Sequence, residues 1–410
     1  MNILMSTIGS RGDVQPLLAL ARALRDLDHQ PRLCAPPNFK EWVESHGVAF
    51  VPIGPDVKQL ARTNPSSKPP RPTRARRVQL AEYTIREQFR VLSDASRDSD
   101  LLVGGGALQL ALRSIAESRG IRYVYVAYCP ATLPSPDHPP AKIDVHYPAW
   151  LPRSINRLLW RREARRWNRL FGPALNEARA KLDLPPVADV QDYIFGERPW
   201  LGADPTLAPA PVMRDRQIVQ RGSWILRDET PLPADVEHFL NDGEPPIYFG
   251  FGSMREEKDT GAMIIEAARR VGRRAVVLRG WGALLPSNPS GDCLVIDDIN
   301  HDALLPRVAV VVHHGGARTT HATARARRPQ VVIPHHYDQF YWAARVRSLG
   351  VGTADFSRGR LTVDALAASL GRCLRLPVGQ RVGELARRMI PDGAKLAAQE
   401  LVAASIAIQK

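Results

Sequence analysis

Two stretches of this chain set hydrogen-bonding and titratable residues around glycines directly after an apolar run. The first is STIGSRGDVQP, residues 6–16, where Gly9 and Gly12 permit a sharp turn and Pro16 suits the first turn of a helix. Asp13 could take a proton there and Arg11 could hold an anion. An aspartate at a helix start is also an ordinary cap, so spacing alone leaves both roles open. The second is HHGGARTTHATARARRPQ, residues 313–330, which follows the apolar run from Val308 to Val312. Gly315 and Gly316 turn the chain into a helix expected to begin near Ala317 to Thr320, whose unpaired N–H groups favour an anion. Thr319 and Thr320 add hydroxyl donors and His314 an imidazole N–H, a set that suits a diphosphate held without metal. Neither His313–His314 nor His335–His336 supplies the converging ligands of a zinc site. The Gly-Lys-Ser/Thr ending of a Walker loop is absent as well. Arg318, a long cation inside so tight a turn, is the anomaly.

These loops need a scaffold that points them at one ligand. The opening reads as βαβαβ: NILMST is a strand, residues 15–28 carry helix-spaced Leu and Ala, PRLCA is a second strand and VAFVP a third. A second series starts at PPIYFGFGS (245–253) and runs through RAVVLR (274–279), CLVI (293–296), VAVVV (308–312) and QVVIP (330–334). Alternation of this kind implies parallel sheets, with ligands at the carboxyl ends of the strands. The expected fold class is therefore α/β, two Rossmann-like domains facing a central cleft. The first is expected over 1–212, the second over 213–390, with a C-terminal helix over 391–410 free to pack back on the first. The Pro-rich stretch 203–224 is read as the linker.

At 410 residues and 44% hydrophobic content, the chain has the material for two ordinary cores. Its 56 Lys and Arg against 42 Asp and Glu give +14, which favours an anionic partner without choosing among nucleotide, lipid surface and nucleic acid. No helix-turn-helix, zinc-finger or RNA-recognition pattern accompanies that charge, so no nucleic-acid partner is expected. Four dispersed cysteines without a CxxC pattern read as reduced core thiols of a cytoplasmic enzyme. Neither a signal peptide nor a membrane span is expected.

Two segments stand apart. NPSSKPPRPTRARR (64–77) is read as a mobile, solvated loop. RLLWRREARRWNRLF (157–171) sets Trp160, Ala164, Trp167 and Phe171 on one helical face and Arg157, Arg161 and Arg165 on another. Such a face packs onto its own domain or lies peripherally on the inner face of an anionic membrane, and both readings are kept.

The chain resembles the GT-B nucleotide-sugar glycosyltransferases of the group that includes glycopeptide-antibiotic and sterol glucosyltransferases, within the UDP-glycosyltransferase superfamily. The resemblance rests on STIGSRGDVQPLLALA, FKEWVESHGVAFVPIG (39–54), IYFGFGS (247–253), RGWGAL (279–284), INHDALLPRVAVVVHHGG (299–316) and PHHYDQFYWAARVRSLGVG (334–352). It implies Asp13 as general base in an inverting hexosyl transfer, with His313, His314, Gly315, Gly316, Thr319 and Thr320 in the diphosphate signature beside Arg11 and Arg318. It implies Ser253 in a second phosphate-facing loop, Trp281 near the donor, and Asp338 with Gln339 on sugar hydroxyls. Where plant relatives carry a base-stacking Trp, this chain is aliphatic near Ile296, so the base is expected to lean on the backbone around Ile299. The nucleotide sugar, UDP- or dTDP-linked, is a substrate, and no cofactor or metal is implied. An apolar acceptor, a natural-product aglycone first and a sterol or lipid second, is expected against residues 125–150 and the Trp-bearing helix.

Relatives usually read HHGGAGTT, so Arg318 replaces a glycine, and Arg327 stands where a glycine often ends the same helix. Ordinary helical dihedrals at Arg318 would make its glycine dispensable and free the side chain for solvent or phosphate. Two alternatives remain: a nucleotide-binding relative that lacks catalysis, and a nucleotide-sugar epimerase, which the Asp-Gln pair and the HHGG signature fit less well.

Overall fold

The computed structural model describes residues 1–59, 72–142, 145, 147–148, 150–214, 216–251, 260–280, 291–354, 356 and 361–406. Two parallel sheets dominate it. The strands that carry the argument are β1 (Asn2–Thr7), β4 (Leu101–Gly105), β5 (Arg122–Ala127), β8 (Ile247–Gly250), β10 (Cys293–Ile296) and β11 (Val310–His313). Among the described residues the first sheet has seven strands in the order β3 (Ala49–Pro52), β2 (Gln30–Ala35), β1, β4, β5, β6 (Trp200–Leu201), β7 (Val219–Gln220), and the second six in the order β10, β9 (Ala275–Leu278), β8, β11, β12 (Gln330–Val332), β13 (Gly352–Thr353). Both faces of each sheet are covered, which is why these strands read as unbroken apolar runs. In each sheet the order reverses at one place, between β1 and β4 and between β8 and β11. Ligands bind where the order reverses, because the two adjoining loops diverge there and leave a crevice. The loops after β1 and β11, singled out above, stand at those two crevices.

The helix after β1 begins at Arg11, earlier than Pro16 suggested, and runs as Arg11–Arg25. Ser10 and Asp13 start it with a reciprocal capping box, and Arg22 and Arg25 end it against the negative pole. The C-terminal helix Gly393–Ile406 crosses back to the first unit. Its Ala394, Ala397, Ala398 and Leu401 share one core cluster with Val14, Leu17 and Leu18 of that first helix. Gly393 is required at the crossing: a Cβ there would stand 2.6 Å from the Ser223 carbonyl oxygen.

Two expected boundaries move. The first sheet takes in β7 (Val219–Gln220), so the first unit extends past residue 212 and the presumed linker supplies its edge strand. Of the segment expected to be a loop, residues 74–77 are instead the first turn of the helix Arg74–Ala95, capped by the Thr73 hydroxyl, while 60–71 lie outside the described residues. Helix propensity of the RARR run prevails once Thr73 supplies the missing acceptor.

The Trp-bearing segment lies in the helix Arg153–Ala180. Trp160 and Phe171 are buried, Trp167 packs on the same core, and the Trp160 indole donates to the His138 carbonyl at 3.0 Å. The aromatic face thus packs largely inside the first unit. Among the described residues, no helix is long and apolar enough to cross a membrane. All four cysteines are free and buried.

Arg327 follows the helix Ala317–Arg325 with φ of +59°, the left-handed conformation that suits glycine. Arg327→Gly is expected to raise stability by about 0.5–1 kcal/mol, read as a higher urea midpoint at unchanged slope.

Candidate active site

Asp13 lies at the floor of a cleft of about 1060 Å³ between the two sheets. The capping box occupies one carboxylate oxygen: the Ser10 N–H donates to Oδ2 at 2.8 Å and the Ser10 hydroxyl at 3.2 Å. Cap and base are therefore compatible, since Oδ1 remains for a ligand. Burial pushes this carboxyl up to about 6, against the two Ser10 hydrogen bonds, which lower it. A base of that strength is nearly all ionised at pH 7 and binds a proton far better than a free aspartate. Beside it, the buried Tyr128 hydroxyl has no hydrogen-bond partner among the described residues, and Tyr128 lines the same cleft. Burial and the charge of Asp13 raise that phenol, so it stays a donor.

The opposite wall is the start of the helix Ala317–Arg325, with Gly316 as its N-cap. Here the structure separates neighbours that the sequence could not. His314 faces the cleft, whereas His313 turns into the sheet, where Nε2 lies 2.9 Å from Gln330 Oε1 and Nδ1 accepts from the Gly315 N–H at 3.0 Å. His313 therefore braces the turn instead of touching the donor, as alternation along β11 requires. Gly315 serves the same turn at φ +90°, with Val332 and the Gln339 carbonyl too close for a side chain. Thr319 lines the cleft, but the buried Thr320 spends its hydroxyl on the Gly316 carbonyl at 2.9 Å, so its expected donor contact is withdrawn. Burial first, then the other three histidines nearby, push His314 down to about 3. It is a neutral imidazole whose Nδ1 has no hydrogen-bond partner among the described residues.

Arg318 sits in the first helical turn without left-handed dihedrals, so its relatives' glycine is dispensable here. Its side chain lines the cleft beside Tyr248 and His301, which meet at 2.9 Å. Burial, and then Arg11, lower Arg318 to about 10, which leaves it cationic at pH 7. Two other arginines line the cleft and both have partners: Arg11 pairs with Asp298 at 2.5 Å and Arg279 with Asp297 at 3.5 Å. Among the described residues Arg318 has no ion pair within 4 Å, although the Asp298 and Asp302 charges are felt there. Arg11 reaches across from the first unit to the second, and its expected donor contact requires exchanging Asp298 for phosphate.

The third wall is the loop before the helix Gln339–Ser348. Asp338 accepts from the Trp342 indole at 3.0 Å, and burial raises its carboxyl to about 6, helped by the charge of Asp13. Gln339 spends its amide oxygen on the His335 and His336 N–H groups at 2.8 and 3.2 Å, so only its NH2 can meet a ligand. Tyr337 precedes this pair at φ +58° and donates its N–H to the Lys142 carbonyl in the first unit at 3.1 Å.

Of the remaining expected residues, Ile299 packs its side chain against the core of the second unit, and the neighbouring Asp297 and Asp298 line the cleft. Ser253 and Trp281 lie outside the described residues. Tyr128, Cys129 and Thr132 of the expected acceptor segment line the cleft with Leu108. Trp160 and Trp167 do not; they support that segment from behind. Sequence reasoning missed Tyr248, Arg279, Asp298, His301 and Tyr337 as site residues. All but Tyr248, which lies inside β8, follow the end of a strand closely, and that position was the available signal.

Residues 3–135 match the glycosyltransferase family 28 N-terminal domain, and residues 283–402 the erythromycin biosynthesis protein CIII-like C-terminal domain. Glycosyltransferase GtfC of Amycolatopsis orientalis is 41% identical over 98% of this chain and 97% of its own. The vancomycin aglycone glucosyltransferase of the same organism is 39% identical over 98% of this chain and 97% of its own. Among solved structures, the glycosyltransferase VinC in complex with dTDP superposes with a TM-score of 0.73 at 19% identity, covering 99% of this chain and all of that one.

Proposed function

The chain belongs to the GT-B glycosyltransferases of the glycopeptide-antibiotic group, and from that premise we propose an inverting transfer of a hexose from a UDP- or dTDP-sugar to a hydroxyl of an apolar natural-product aglycone. The observation that carries this reading is one cleft with a base on its floor and an anion site on its wall. Asp13 offers a strengthened carboxylate, and facing it are a helix start, a neutral histidine and the guanidinium of Arg318, which has no ion pair among the described residues.

The reaction is a single displacement. Asp13 Oδ1 takes the proton of the acceptor hydroxyl as its oxygen bonds to the anomeric carbon. The bond from that carbon to the diphosphate breaks on the opposite face, so the configuration inverts. The departing charge meets the N–H groups at Gly316–Thr319, the His314 imidazole and Arg318, donors fixed before the reaction begins. These groups supply the role a metal has in other phosphate sites, and the nucleotide sugar is consumed as substrate. Asp338, Gln339, Tyr128, Leu108 and Thr132 all line the cleft; we assign Asp338 and the Gln339 NH2 to the sugar hydroxyls and the other three to the acceptor.

Calorimetric titration with UDP and dTDP, without added metal, tests the anion site. Arg318→Gly is expected to weaken the preferred nucleotide about tenfold, the effect of one charge-assisted hydrogen bond in a water-poor site. Unchanged affinity in that variant would remove Arg318 from the donor site, and no binding of either nucleotide to the wild type would remove the transfer reading itself.

A further inference from the structure

Beyond β6, the chain enters a short turn over residues 203–208 in which Ala203, Asp204, Leu207 and Ala208 are buried. The strand belongs to the first sheet, yet Ala203, Leu207 and Ala208 share a core cluster with Ala324, Trp342, Val346 and Leu385 of the second unit. Hydrogen bonds tie the same turn to that unit. The Asp204 N–H donates to His321 Nε2 at 3.0 Å, and Asp204 Oδ2 accepts from the Ile390 N–H at 2.7 Å. The Thr206 hydroxyl donates to the Arg388 carbonyl at 3.1 Å, and the Leu207 carbonyl accepts from Arg345 Nε at 2.8 Å.

His321 carries this seam to the donor site. It is buried in the helix Ala317–Arg325, whose start lines the cleft. A backbone N–H can only donate, so Nε2 accepts from Asp204 and Nδ1 holds the proton. Nδ1 then donates to the Ala317 carbonyl at 2.7 Å, in the first turn of the helix and next to Arg318. The ring also stands edge-on to Trp342, with centroids 5.0 Å apart, and the Trp342 indole donates to Asp338. One imidazole therefore touches the supports of both walls assigned to the donor. Its own position is set by the backbone of the unit that carries Asp13.

We infer that His321 is a positioning residue: through Asp204 it holds the diphosphate helix at a fixed distance across the cleft from Asp13. Its effect on rate rests on the transfer reading, whereas its effect on distance does not. In-line displacement is sensitive to that distance, since a shift of about 1 Å costs about 100-fold.

Two substitutions separate the bonds of His321. Asn places an amide N–H where Nδ1 stands, so His321→Asn keeps the bond to Ala317 and loses Asp204. The longer Gln places its amide oxygen where Nε2 stands, so His321→Gln keeps Asp204 and loses Ala317. Each loses one buried hydrogen bond, and the urea midpoints should fall by comparable amounts. Turnover should diverge: a loss of about tenfold or more in His321→Asn, with nucleotide affinity within about threefold of wild type, against no more than about threefold in His321→Gln. Spin labels at Glu41→Cys and Asp235→Cys, exposed positions on the two units, read the cleft with dTDP bound; the native cysteines are buried. The distance distribution should broaden in His321→Asn and match wild type in His321→Gln. Equal turnover in the two variants, or an unchanged distribution in His321→Asn, overturns the inference. Absence of turnover in the wild type overturns the transfer reading instead, and the label distances still decide the place of His321. Should the His321 variants fail to fold, Thr206→Ala, which removes one hydroxyl bond from the same seam, is expected to broaden the distribution, and an unchanged one overturns the fixed distance.

Discussion

Asp13→Asn is expected to lower transfer about 1,000-fold while leaving nucleotide affinity unchanged, the loss of a general base. The amide still accepts from the Ser10 N–H, so the helix start survives, and the variant no longer buries a charge. Folding is therefore expected to be intact, and circular dichroism with calorimetric titration separates lost chemistry from lost structure. The wild-type pH profile carries the same information. Asp13 must be unprotonated to act, and burial raises its carboxyl to about 6. The rate should accordingly fall about tenfold per pH unit below roughly 6, well above the range of an ordinary aspartate. Equal loss of turnover and of nucleotide binding in Asp13→Asn would place this residue in the donor site and not at the base position.

The second large effect is expected at His314. Removing a preorganised donor from a developing charge typically slows turnover about 100-fold or more, and His314→Ala is expected to show a loss of that size. Nucleotide affinity should fall much less, because the leaving diphosphate gains its extra charge only as the bond breaks. The imidazole is pushed down to about 3, so it does not titrate near neutrality. His314→Ala should therefore depress the whole pH–rate profile evenly and keep the limb near pH 6 that belongs to Asp13. A new limb in the variant, or a wild-type limb that vanishes with His314, would show the histidine to be an acid or base. The His313 side chain, turned into the sheet, offers the internal contrast: its loss should lower stability before it changes donor affinity.

Much of the architecture was legible because strands buried on both faces must be apolar throughout and loops at their ends must turn. That logic located five of the six described strands of the second sheet, all but β13 (Gly352–Thr353), and both ligand-facing loops to within a few residues. It failed at β7, whose two residues, Val219 and Gln220, carry no pattern and join the first sheet only because Trp200 and Leu201 already present an edge. It also failed at residues 74–77, where composition argued for a loop and a single cap at Thr73 decided for a helix.

At the site the division is sharper. Residue order alone determined that a glycine turn joins a strand to a helix start at residues 313–320, the kind of turn that favours an anion. It also placed Asp13 at the start of the facing helix. Only tertiary structure decided which histidine and which threonine look into the cleft, that Arg11 is held by Asp298, and that one oxygen of Asp13 is free while the other caps a helix. The reason is physical: turn formation and apolar periodicity are local, whereas burial, electrostatic field and side-chain direction at a cleft are set by elements hundreds of residues away. The raised carboxyl of Asp13 exists only because the folded chain buries it.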